Sequence, residues 1–175
     1  MMHEYYQVYD KNLKPCDLLI ERPNHIPEGY YFGIVECVCY NLRNDSFLMT
    51  KRSKDKPYMA GHLEVTVGCM QHGEEPLESI KRELMEETGI RPNRISLFKT
   101  FISDHAIAHT FLAILDIEAD SIVLQKGETD AYYWFKEEEF KEIWKGSLIT
   151  QVQKARISPN IEKIIEQIKV MKNEQ

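Results

Sequence analysis

Three glutamates crowded onto one face of one short helix constrain this chain more than anything else in it. They lie in residues 68–90, GCMQHGEEPLESIKRELMEETGI. Pro76 suits a first helical position, where its missing N–H costs nothing, and Gly89 suits a left-handed stop. Leu77, Ile80 and Leu84 fall at helical spacing and predict an apolar stripe. Glu83, Glu86 and Glu87 fall at i, i+3 and i+4, so their carboxylates share a face beside that stripe. Such acids repel one another, and they sit near the C-terminal end, where the helix dipole disfavours negative charge. A hard divalent cation with oxygen ligands, Mg²⁺ or Mn²⁺, would offset the repulsion. A solvated acidic face, helped by Lys81 and Arg82, is the equal alternative from the helix alone.

The spacing decides between these readings. Gly68, five residues, Glu74, seven residues, then Arg82-Glu83-Leu84-x-Glu86-Glu87-x-Gly89-Ile90 resembles the Nudix box, with every fixed position filled. The resemblance implies an α+β fold, an α/β/α sandwich with a mixed β-sheet between helices, here with an N-terminal β extension. It implies metal-dependent hydrolysis of a diphosphate linkage in a nucleoside diphosphate derivative, water attacking phosphorus with Mg²⁺ or Mn²⁺ bound. Carried over residue by residue, Glu86 and Glu87 are the first metal ligands, and Glu83 is a third ligand or the base. The backbone carbonyl of Val67 is a further ligand, although most members have glycine there. Glu128, six residues before Trp134, matches an additional ligand or base of some members. Arg82 is expected to hold Glu74 and the box loop by a charge-assisted bond. Arg52, in the basic cluster of residues 51–56, is the candidate for the substrate's phosphates. Gln71 stands where many members have glutamate.

Two other functions compete. The N-terminal layout also resembles the branch near isopentenyl diphosphate isomerase. Val67 replaces that enzyme's catalytic cysteine and Cys69 its metal-binding histidine, while the full R-E-x-x-E-E run is kept, so hydrolysis is favoured. A Nudix-like binding module that holds a nucleotide without cutting it usually has a damaged box, and this one is intact. The partner implied is a small nucleotide-type molecule, and the family resemblance leaves a homodimer open.

The remaining sequence narrows the setting. With 175 residues and a net charge of −6, no basic block favours nucleic acid as a partner. No apolar run is long enough to span a bilayer, and the start lacks a secretory pattern. Cys16, Cys37, Cys39 and Cys69 then read as free thiols in a cytoplasmic protein. Cys37, Cys39, Cys69 and His72 also spell a zinc-like set, but Cys69 and His72 belong to the box loop. Residues 1–28 read as an extension, with strands at 5–9 and 17–21, packed on a domain of residues 29–175. Strands are expected at 31–40, 47–51, 62–67, 95–105, 107–120 and 126–135, then a helix at 137–145. His105 and His109 flank one connection and read as rim residues. The last helix is expected to be capped by Ser158 and opened by Pro159, with Ile161, Ile164, Ile165, Ile168 and Met171 inward.

Overall fold

The computed structural model describes residues 3–92 and 94–174. Its organising element is β3 (Tyr31–Asn41), buried from Val35 onward. β3 pairs antiparallel with β1 (Val8–Tyr9), β4 (Ser46–Arg52) and β6 (Thr66–Cys69), and parallel with β8 (Ala106–Leu115). β2 (Pro15–Cys16) joins β1, β5 (Leu63–Glu64) and β9 (Thr129–Phe135) flank β4, and β7 (Arg94–Ile102) closes on β8.

Period-two alternation along β3 feeds two cores. Val38 and Tyr40 enter one with Phe140, Trp144, Ile157 and Ile168. These come from α2 (Glu137–Ile143) and the residue after it, α3 (Gln151–Ile157) and α4 (Ile161–Asn173). Val35, Cys37 and Cys39 enter the other with Ile80 and Leu84 of α1 (Pro76–Thr88). A mixed sheet with helices on both faces is the expected α+β sandwich. No helix among the described residues is long and apolar enough to cross a membrane.

Several boundaries differ from expectation for local reasons. Asp10 accepts bonds from the N–H groups of Asn12 and Lys14, and this tight turn brings Pro15, not residue 17, opposite Tyr9. Residues 17–21 run beside residues 4–6 through isolated bonds, Tyr6 N–H to Ile20 and Arg22 N–H to Glu4, and leave Leu18 and Leu19 exposed. The strand expected at 62–67 is broken at Val65. There the buried Gln153 amide takes the place of a neighbouring strand, accepting from Val65 N–H at 3.1 Å and donating to its carbonyl at 3.0 Å. Gln153 sits on α3, a helix the periodicity of its short polar stretch does not announce. Ser158 does not cap the last helix: its hydroxyl bonds the Trp144 carbonyl at 2.7 Å, and residues Ser158–Asn160 form a 3-10 turn before α4. The expected inner face of α4 is buried at Ile164, Ile165, Ile168 and Met171, with Ile161 at its margin.

Cys37 and Cys39 lie side by side in the α1-side core, their sulfurs 3.7 Å apart. His72 is held elsewhere, its N–H on the Tyr5 carbonyl. His105 is exposed and His109 bonds Thr100 at 3.0 Å, so neither faces the cleft described next.

Candidate active site

α1 begins at Pro76 and ends at Gly89, whose φ of 72° is the left-handed stop. Its last carbonyls are answered by the following loop: Val123 N–H bonds Thr88 and Gln125 N–H bonds Glu87. Ile80 and Leu84 are fully buried, but Leu77 is 41% exposed, because the first turn stands off the core they enter. The buried side of α1 also carries Glu83 and Glu87, at 9% and 8% exposure. The acids are therefore not a solvated face. Only Glu86 stands at the rim.

These side chains open on a cleft of about 320 Å³ between α1, β6, the end of β4 and the N-terminus of α3. Arg82 organises one wall. Its Nε and Nη2 donate to the two Glu74 oxygens at 2.6 and 3.0 Å, and its Nη1 donates to Glu83 at 2.8 Å and Glu86 at 3.0 Å. Nη2 also reaches the Cys69 carbonyl at 3.3 Å, tying helix to strand. Hydrogen bonding to Glu74 raises the Arg82 pKa further. Burial works to raise Glu74, yet the bonds from Arg82 and Gln71 N–H win and leave its carboxyl below the usual range.

Gly68 has a role different from loop flexibility. It lies inside β6 without a left-handed torsion. A Cβ on it would stand 1.9 Å from the Glu83 carboxyl carbon. Only a residue without a side chain lets Glu83 lie across the strand. Val67 sits opposite Glu36 in the β3–β6 ladder. Phe32 N–H bonds His105, so even-numbered residues of β3 turn their polar groups to β8 and odd-numbered ones to β6. Val67 therefore points its N–H and C=O off the far edge of β6, which no described strand pairs.

The opposite wall brings residues that sequence reading did not name. Glu64 of β5 is buried and takes two bonds from Arg52 Nη1, at 2.9 and 3.2 Å. Arg52 Nε also donates to the Tyr58 carbonyl at 3.2 Å, so Arg52 reaches the cleft already paired. Glu128 lines the cleft and pairs with Lys56. Arg22 and Glu4 of the N-terminal segment reach the other end. Nothing in the alternation of β5 marks Glu64, since Leu63 and Val65 beside it are equally buried.

Electrostatically the cleft is overloaded with acid. Burial pushes Glu64 up to about 7 against the pull of Arg52, and burial likewise pushes Glu83 up to about 7 against Arg82. Glu87 is raised well above its ordinary value by burial and then by Glu64 and Glu83. One of its oxygens, Oε2, is buried with no hydrogen-bond partner among the described residues. Among the described residues no three acid, histidine or cysteine side chains are already gathered at ligand spacing; Arg82 stands among the box carboxylates instead. An orphaned carboxylate oxygen among hard oxygen donors fits a divalent cation such as Mg²⁺ or Mn²⁺.

A pH dependence follows. Glu64 and Glu83 titrate near 4.5 when exposed and near 7 when folded, so between these values the folded chain holds more protons than the unfolded one. Stability falls with pH wherever that is so. In chelator, the contribution is full below about pH 4.5, is lost as pH rises through about 7, and amounts to up to about 3 kcal/mol per group. Calorimetry from pH 5 to 8.5 should show the melting temperature falling over this window in chelator and recovering with Mn²⁺. A melting temperature that rises over that window in chelator would contradict this account.

Arg82→Ala removes the clasp on Glu74, Glu83 and Glu86 together. Turnover is expected to fall about 10- to 100-fold through site geometry, with circular dichroism still that of a folded protein. Unfolding of the variant under native conditions would make Arg82 mainly structural.

Residues 34–153 match the NUDIX domain family, and the chain belongs to the Nudix hydrolase superfamily. Over 56 residues it is 41% identical to the 8-oxo-dGTP diphosphatase of Escherichia coli K12, a stretch covering 32% of this chain and 43% of that one, so it spans less than half of that relative. Its fold resembles that of DR0079 from Deinococcus radiodurans, with a TM-score of 0.67 at 15% identity over 85% of this chain and 93% of that one. It also resembles a MutT protein from Methanosarcina mazei, with a TM-score of 0.59 at 23% identity over 79% and 96% of the two chains.

Proposed function

We propose that this chain hydrolyses a diphosphate linkage in a nucleoside diphosphate derivative, using Mg²⁺ or Mn²⁺ held at the α1 face of the cleft. The observation that carries this reading is the Glu87 oxygen that finds no partner among the described residues, buried among carboxylates whose charge Arg82, Arg52, Lys56 and Arg22 offset only in part. Glu86, Glu87 and the outward carbonyl of Val67 would hold the cation, with Glu83 as a third ligand or the base and Glu128 as an additional ligand. The bound cation supplies positive charge for an anionic substrate and lowers the pKa of a coordinated water.

The chain's own groups do the rest. Arg82 fixes Glu83 and Glu74 so that the carboxylates need not reorganise as charge develops. Arg52 and Lys56, on the facing wall, offer cations to the substrate's phosphates, each already steered by an acid partner. The 8-oxo-dGTP diphosphatase likeness supports a nucleotide-type substrate. The free thiols and the lack of a spanning helix among the described residues are consistent with a cytoplasmic setting.

The test is product release from a panel of nucleoside diphosphate derivatives with Mg²⁺ or Mn²⁺, isopentenyl diphosphate included. Cleavage that stops with chelator is the expected result. Isomerisation of isopentenyl diphosphate without phosphate release, or tight nucleotide binding with no product, would overturn it.

A further inference from the structure

Charged side chains make up half of the cleft's lining, and Ile34, Val67, Tyr58 and Val152 give it apolar surface. Tyr58 and Val152 line it, and they remain 58% and 49% exposed. Tyr58 belongs to the loop that leads from β4 into β5, and Val152 to α3, whose start is bonded to β5. The Tyr58 loop is fixed by Arg52 N–H on the His62 carbonyl, Gly61 N–H on the Arg52 carbonyl and His62 N–H on the Met59 carbonyl. Met59 takes a φ of 52° inside that loop, a torsion that non-glycine residues adopt only where their surroundings hold it. Leu63 N–H bonds Leu148 and Thr150 N–H bonds Leu63, which sets the start of α3 and hence Val152.

An exposed phenol ring and a branched aliphatic side chain lining one cleft suit a flat heterocycle. Rings of this kind gain affinity by stacking on an aromatic face whatever their exact substitution. We propose that Tyr58 is a specificity-determining residue that stacks the nucleobase of the substrate, with Val152 adding apolar surface to the same cleft. This rests on the reading of the cleft as a nucleotide site, and it adds where the base sits. Arg52 acts here as a positioning residue, because its Nε holds the Tyr58 carbonyl while its Nη1 holds Glu64.

Equilibrium binding tests this without any turnover. AMP, GMP, CMP and UMP are each compared with ribose 5-phosphate, which has the same phosphate and sugar but no base, on the full chain with Mg²⁺ present. At least one nucleotide should bind roughly tenfold or more tightly than ribose 5-phosphate, in line with one base–aromatic stack. Tyr58→Ala should erase that difference and leave ribose 5-phosphate binding unchanged, whereas Tyr58→Phe should keep it. Equal weakening of nucleotide and sugar phosphate in Tyr58→Ala would overturn the proposal, as would a base that adds no affinity in the unaltered protein. Failure of the hydrolase reading shows separately, as absence of metal-dependent product while the base preference persists.

Discussion

Glu87→Gln is expected to abolish most turnover while leaving the protein as stable as before, or more so, in the absence of metal. The substitution keeps the shape of the side chain and removes one charge from a position that is 8% exposed. That charge is disfavoured where it stands: burial and the neighbouring Glu64 and Glu83 push its proton affinity up, and one oxygen has no partner among the described residues. Without a cation, an amide is therefore the easier group to bury. With a cation, the same change removes a strong ligand, and a loss of about two to three orders of magnitude in turnover is expected. Calorimetry in chelator and steady-state rates with Mg²⁺ read the two effects on one preparation. A variant that melts well below the parent in chelator would show that Glu87 is bonded into the fold instead.

Arg156→Ala is expected to have the largest effect on stability. Glu36 lies at the centre of β3 with no exposure. It is answered by Arg156 Nε at 3.0 Å, Arg156 Nη2 at 2.6 Å and the Thr110 hydroxyl at 2.6 Å. Removing the guanidinium leaves a buried carboxylate with one neutral donor, a loss of about 3–5 kcal/mol. For a domain of this size that corresponds to a fall of roughly 10 °C in melting temperature. Replacing both partners with leucine should recover much of it, because the uncompensated charge goes as well. A loss under about 1 kcal/mol in Arg156→Ala would mean that water reaches Glu36.

Both variants show which parts of the molecule the amino-acid order announces. α1 is legible because three independent signals coincide there: a proline start, a glycine stop and apolar spacing. Its acids are legible as a group because repulsion at that spacing needs an explanation. Their burial is not, since helical spacing alone does not say how far the core extends around the helix. Gly68 is legible only as a fixed position of the box spacing, and the packed structure reveals that Glu83 occupies the place of its missing side chain. Glu64 and Arg52 find each other across a hairpin whose register is set by the loop between them. α3 is too short and polar to carry a period, yet it supplies Gln153, Arg156 and Val152 to three different tasks. Glu36 is a charge inside an apolar strand, and nothing in the chain says that its partner lies 120 residues away.

The most direct test of the central claim is the rate of nucleotide cleavage as Mg²⁺ is titrated into chelator-treated protein at saturating substrate. The account predicts no product without the cation, a saturable rise with it, and only a small residual rate in Glu87→Gln at any Mg²⁺ concentration. Cleavage that proceeds in chelator, or a Glu87→Gln variant that matches the parent, would contradict the assignment of the acidic face of α1 as the metal site.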